Sequence, residues 1–303
     1  MRLTPIFDTN IFGHVQDGSI PTKDWRFLLA HRPGHGWPLS SVTALELLAG
    51  VHKVPSERFS QHREQVELAC NLSKGRIHEE PRFLICKEVL KVPFSLPRLP
   101  PELLADYMTV VRRAGSREEI LANRVRVKGL HKGKGHSGLA GFETSVFEEL
   151  LDGPKREWLK RSENFADEVY PRWREHFQET GKRLPDEMCE GIASRLVSDV
   201  ERAEYCKSFL RWMGAPVETE SVADIAKRLD AALEYTAFVA REHLTRNYNL
   251  EKNKSDVYDQ FQLHYLAMDR FIIVSEDRNL RSRTARSSQA KRIVSFHEFL
   301  KSL

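Results

Sequence analysis

The sequence predicts a mixed α/β protein whose mostly parallel sheet is built from the two ends of the chain, with a large α-helical insertion between them. Three observations carry this. Short apolar runs near both termini end in polar, cap-forming residues and alternate with helical spacing, which is the pattern of a covered parallel sheet. The stretch from about Pro55 to Leu250 has long amphipathic windows and little strand signal. The 303 residues suffice for two ordinary domains, or for one domain carrying an insertion. The expected boundaries are 1–54 and 251–303 for the α/β part and 55–250 for the insertion.

Leu3 to Phe7 is short and mostly apolar and is closed by Asp8-Thr9-Asn10, which suits a buried strand with an acid at its C-terminal end. Helical spacing follows from Thr22 to Arg32 at Trp25, Leu28 and Leu29, and Pro33-Gly34-His35-Gly36 stops it. A second strand is expected over Trp37 to Ser40, completing a βαβ unit. Ser40 and Ser41 can cap the next helix, whose stripe is Leu45, Leu48 and Ala49, whose second turn carries Glu46 and whose last turn Gly50 weakens. Inside the insertion, Glu190 to Met213 and Val222 to His243 read as helical windows. Prolines 93, 97, 100 and 101 make an extended linker, and Lys128 to Gly141 a Gly-rich loop. The chain then returns to its opening grammar, with a helix over Ser255 to Met268 and a strand over Phe271 to Val274. A basic stretch, a strand over Arg292 to Ser295 and a short helix complete it.

Composition removes several function classes. With 41% hydrophobic and 30% charged residues the chain is globular rather than disordered, and no apolar run approaches the roughly 20 residues of a membrane span. Asp8 sits where a secretory leader would need an apolar core, so a cytoplasmic protein is expected. Four cysteines (Cys70, Cys86, Cys189, Cys206) never form CxxC, which argues for buried thiols over a zinc knuckle or redox pair. A net charge of +4 is mild, so any nucleic-acid argument must rest on where the cations lie. The string Gly133 to Gly138 matches GxGxxG but follows no strand, and carries no dinucleotide site.

The informative pattern is four acids at strand ends and helix starts: Asp8, Glu46, Asp259 and Asp277. In a parallel sheet the C-terminal strand edges face one crevice, so residues from opposite ends of the chain can meet there. Asp256 lies three residues before Asp259 on nearly the same helix face and is an alternative third acid. Grouped carboxylates raise each other's pKa unless a cation lies between them, and acids without His or Cys favour Mg²⁺ or Mn²⁺ over zinc. Such ions lower the pKa of a water and stabilise the oxygens of phosphodiester cleavage.

At these residues the chain resembles the PIN-domain nucleases. Ile6-Phe7-Asp8-Thr9-Asn10 is similar to that family's opening strand, and Ser40 to Gly50 to its Glu-bearing helix. Asp259 to Ala267 followed by Phe271 to Asp277 resembles its Asp helix and next strand, and Ile293 to Leu300 its closing strand and helix. The resemblance covers about 1–54 and 255–303. It implies a three-layer PIN-like fold, metal-dependent RNA cleavage, Asp8, Glu46, Asp259 and Asp277 as metal-binding acids, and Asn10 and Ser275 as supporting groups. The chain departs from compact members by the long stretch between Glu46 and Asp259 and by offering two candidates for the third acid.

Two acid-free runs suit a phosphate backbone. One, from Ile120 to Phe142, carries Arg124, Arg126, Lys128, Lys132 and Lys134 among glycines. The other follows Asp277 with Arg278, Arg281, Arg283, Arg286, Lys291 and Arg292. RNA is the expected partner, with DNA possible on the same chemistry. The insertion is expected to serve as substrate platform, as contact with a second copy, or as contact with an inhibitory protein. Trp158, Trp173 and Trp212 are expected in the core, and His264 and His297 in structural roles.

Overall fold

The computed structural model describes residues 3–95, 100–122, 172–180, 198–245 and 255–303, with positions 160, 164, 167, 168, 188, 190, 191, 194 and 195 between them. The N-terminal apolar run forms β1 (Thr4–Phe7), with Ile6 and Phe7 wholly buried. Phe271-Ile272-Ile273-Val274 forms β2 (Phe271–Val274), and Ile293–Val294 forms β3. The three strands are parallel in the order β1-β2-β3, with Phe7 opposite Val274 and Val274 opposite Val294. A mixed α/β fold around a small parallel sheet is therefore present.

The expected second strand, Trp37 to Ser40, does not join this sheet. It makes one parallel bridge, Leu39 to Ile77, in which Leu39 N donates to Arg76 O and His78 N to Leu39 O. Pro38 has no N–H to give, and Ser40 already turns the chain into a helix, so no longer ladder can form.

Helices cover the sheet. After β1 come α1 (Thr9–Gln16), α2 (Thr22–His31), α3 (Ser41–Lys53) and α4 (Phe59–Ser73). Ser40 caps α3 by accepting from Thr43 N at 2.8 Å. Gly50 is a packing requirement: a Cβ there would meet the His62 ring of α4 at 2.4 Å, and that ring reaches Leu47 O at 2.6 Å. A short helix α5 (Pro81–Leu84) precedes α6 (Pro101–Arg113) and α7 (Arg117–Ala122). Pro101 occupies the first turn of α6, so the end of the proline stretch starts a helix instead of continuing a linker.

The later helices are α8 (Trp173–Thr180), α9 (Asp199–Trp212), α10 (Thr219–Arg228), α11 (Asp230–Thr245), α12 (Ser255–Leu263), α13 (Arg278–Arg283) and α14 (Phe296–Lys301). The window Val222 to His243 is thus two helices that break at Leu229. Gln289 holds the break: its amide donates to Arg228 O at 2.8 Å and its carbonyl accepts from Ala231 N at 3.0 Å. Backbone groups freed by the bend are satisfied by one side chain. Core residues from β1, β2, α3, α4, α6, α9, α11 and α12 belong to one contiguous apolar cluster.

Cys70, Cys86 and Cys206 are buried free thiols, while Cys189 and Trp158 lie outside the described residues. Trp173 is buried, but Trp212 is 37% exposed, its ring 5.0 Å from the Arg82 guanidinium. His297 is exposed, contrary to expectation, because it points off α14 away from Phe296 and Phe299, which fill the core. His264 is buried between Phe209 and Phe261, and neither ring nitrogen has a hydrogen-bond partner among the described residues. Burial, with a contribution from Arg82, pushes its pKa from 6.5 down to about 3.

An unfolded His takes up a proton that this folded one refuses, so stability holds above the ordinary value and falls with pH below it. His264→Phe is expected to spare about 2 kcal/mol of the stability that the parent loses between about pH 7 and about pH 5. Urea denaturation at the two pH values checks this, and equal losses in both proteins count against a neutral buried ring.

Candidate active site

Register places the first acid. Because Phe7 pairs with Val274, the next residues of the two strands, Asp8 and Ser275, emerge together. Ser275 Oγ donates to Asp8 Oδ2 at 2.6 Å, and Asn10 Nδ2 donates to the same oxygen at 2.8 Å. Asp8 Oδ1 accepts from Thr9 N at 2.7 Å, so Asp8, not Asn10, is the N-cap of α1. Asn10 bridges the strand ends: its amide also reaches Ser275 Oγ at 3.1 Å and its carbonyl accepts from Glu276 N at 3.3 Å. Ser275 Oγ accepts in turn from Asp277 N at 3.0 Å, and Asp277 caps α13 by accepting from Asn279 N at 2.6 Å.

Glu46 arrives on α3. Thr43 Oγ1 donates to Phe7 O at 2.8 Å and pins the first turn of that helix to the end of β1. One turn later Glu46 Oε2 accepts from Thr9 Oγ1. The hydroxyl of the Asp-Thr-Asn segment therefore links the first acid's neighbour to the second acid.

The two candidates for the third acid have different surroundings. Asp256 lies in the first turn of α12 and is paired with Arg283, Nη1 to Oδ1, at 3.0 Å. Arg283 also donates to Glu242 at 2.7 Å and to the Tyr235 hydroxyl at 2.9 Å. The Tyr235 hydroxyl lies 2.9 Å from Asp259 Oδ2 and 3.1 Å from Asp256 Oδ1. With one proton to give, and with Arg283 already serving Asp256, Tyr235 serves Asp259. Asp256 is an ion-pair partner in this arrangement, whereas Asp259 feels the charges of Asp8, Glu46 and Asp277.

Electrostatics show the convergence. Burial first, then Asp8, Glu46 and Asp277, hold the Asp259 carboxyl well above the ordinary range, against the lowering effect of the Tyr235 hydrogen bond. Burial also pushes Asp8 from 3.8 up to about 6; its bonds from Ser275 and Thr9 lower it and the charge of Asp277 adds to the rise. Asp8 and Asp259 are buried, Glu46 and Asp277 are half-buried, and the charges of the other three acids all act on Asp259. Each of the four accepts at least one hydrogen bond from the protein, and among the described residues no three acidic, histidine or cysteine side chains close around a common point. By donor chemistry, an all-oxygen set with surplus negative charge fits a hard divalent cation.

The cations near the site divide. Arg278 is exposed beside Asp277, and Arg281 is partly exposed with Glu298 at 3.9 Å. Arg283 and Arg292, also in the acid-free run, are structural: Arg283 faces Asp256 and Glu242, and Arg292 donates to the carbonyls of Met268 at 3.0 Å and Phe271 at 3.2 Å. Arg124, Arg126, Lys128, Lys132 and Lys134 lie outside the described residues, as does the Gly133 to Gly138 string. Sequence reasoning missed Thr9, Thr43 and Tyr235. Thr9 had a signal, since it stands inside the Asp-Thr-Asn segment. Tyr235 had none, because a tyrosine on an apolar helix face reads as core.

Comparison of the chain with protein-family models, curated proteins and solved structures gives no match.

A carboxyl whose folded pKa is raised adds stability below its ordinary value and loses it as pH rises through about 6. In chelator, Asp8→Asn is therefore expected to gain about 1–3 kcal/mol on the parent between about pH 5 and about pH 7.5, read from denaturation midpoints. A constant difference across that range argues against the shift. Tyr235→Phe leaves Arg283 and two acids without the hydroxyl, and is expected to cost about 1–3 kcal/mol in the same assay.

Proposed function

We propose that the chain is a Mg²⁺- or Mn²⁺-dependent ribonuclease of PIN-like fold, cutting phosphodiesters with Asp8, Glu46, Asp259 and Asp277 as its metal-holding acids. The observation that carries this reading is geometric: the β1–β2 register sets Asp8 against Ser275, whose hydroxyl also accepts from Asp277 N, and Thr9 beside Asp8 donates to Glu46. When bound, the divalent ion supplies charge neutralisation and Lewis-acid activation of water and phosphate. The chain's own groups do the rest. Asn10 and Ser275 hold Asp8 in orientation, Thr9 holds Glu46, and Tyr235 holds Asp259. In this reading Asp256, paired with Arg283, stays outside the set.

Arg278 stands exposed next to Asp277, and in this reading it meets the backbone of an RNA strand together with Arg281 one turn on. In this reading the basic run from Arg124 to Lys134 extends that contact, the helical stretch serves as substrate platform, and the enzyme works in the cytoplasm. DNA is an alternative substrate. A second reading, a nucleic-acid-binding module with an idle acid site, is favoured by one observation: no three of the described acids close around a single point.

Labelled single-stranded RNA incubated with the protein and Mn²⁺, or with EDTA, separates the two. Chelator-sensitive products with 5′-phosphate and 3′-hydroxyl ends are expected. Asp8→Asn and Asp277→Asn are each expected to lower the rate by about 100-fold or more while circular dichroism and RNA retention stay unchanged. Retention without cutting, indifferent to metal, supports the binding module instead.

A further inference from the structure

A cavity of about 400 Å³ opens where the C-terminal ends of α2, α4 and α6 meet. Arg32 follows α2, Lys74 caps α4 with φ of 52°, and Arg112 and Arg113 close α6. Asn71 adds a side-chain amide to the wall. Among the described residues no carboxylate or aromatic ring lines the cavity; the charge of Glu67, on α4, reaches Cys70 in the wall.

Cations at helix C-termini have an ordinary explanation in the helix dipole. Three termini carry about half a negative charge each, roughly −1.5 together. Four full positive charges exceed this by roughly 2.5. Two of them act in the ordinary way: Arg32 donates to Asn71 O and Lys74 to Gly34 O. Arg112 and Arg113 are exposed and form no ion pair among the described residues. The surplus matches the charge of a phosphomonoester, about −1.5 to −2 at neutral pH.

We propose that this cavity binds a phosphomonoester group, held by Arg112 and Arg113 with Asn71 beside them. It is not part of the acid crevice. Arg32 and Lys74 precede the extended segments at Leu39 and Ile77, whereas Asp8 and Glu46 lie beyond the ends of β1 and of the Leu39 segment. The inference therefore stands whether or not the chain is a nuclease. The group can come from a small phosphate ester or from the 5′ end of a strand, and the two share this chemistry.

Calorimetric titration with inorganic phosphate tests it in the parent, in the Arg112→Gln/Arg113→Gln double variant and in Lys23→Gln, a control on the exposed face of α2. Saturable binding is expected in the parent, weakened at least about 10-fold in the double variant and unchanged in Lys23→Gln. Asp8→Asn is expected to bind phosphate as the parent does, which separates this site from the acid crevice. A 5′-phosphorylated RNA pentamer compared with its 5′-hydroxyl twin identifies the source: a preference lost in the double variant assigns a strand end, and equal binding assigns a small ester. Absence of saturable phosphate binding, or an equal loss in Lys23→Gln, overturns the proposal.

Discussion

The parallel pairing of β1 with β2 is the constraint on which the rest depends. It joins residues 4–7 to residues 271–274, so most of the chain is an excursion between two neighbouring strands. The entropic cost of closing so long a loop rises only by about 0.6 kcal/mol per doubling, which makes the excursion tolerable. Its return is local and specific. Once Phe7 faces Val274, Asp8 must emerge beside Ser275, and their 2.6 Å hydrogen bond is a consequence of register. Slipping the pairing by one residue would exchange the faces on which Ile6 and Phe7 pack and take Asp8 away from Ser275.

Charge in this protein is allotted by burial more than by number. Arg82, Arg283 and Arg292 look like any other basic residues in the sequence, yet each is used inside. Arg82 is 1% exposed, paired with Glu80 at 3.0 Å and enclosed by Phe94, Trp212 and Phe261. Arg283 relieves Asp256, and Arg292 stitches backbone carbonyls at the edge of β2. What remains on the surface is a smaller set, and only that set can meet an anion from outside. The acids follow the opposite logic, for Asp8 and Asp259 are buried, and that burial raises both carboxyls above their ordinary range.

Much of the sheet and the acid crevice was legible in the sequence because their signals are local. β1, β2, α2, α3 and α12 fall within a residue or two of where apolar spacing and caps put them, apart from the 3₁₀ turn His264–Ala267 that ends the expected helix. The placement of Asp8 and Asp277 at strand ends follows from the same reasoning. Features that depend on a distant partner were not legible. The strand expected at Trp37 to Ser40 is reduced to a single bridge with Ile77, a partner that no pattern around Leu39 announces. The different surroundings of Asp256 and Asp259 come from Tyr235 and Arg283, on two other helices, and no pattern within α12 encodes them. His297 sits in an apolar string but takes the outward position on α14, since a six-residue helix has few inward positions.

The bend at Leu229 reaches further than its own backbone. Gln289 serves both sides of it and also donates to Leu266 O at 2.8 Å, tying together α10, α11 and the turn that leads into β2. Straightening α10 and α11 into one rod would strand a primary amide in the protein's interior. The pitch of α11, and with it the aim of Tyr235, is thereby set by a side chain that arrives late in the chain. During synthesis this joint has no keystone until Gln289 has been made, so α10 and α11 acquire their final angle only after β2 is already in place to pair with β1.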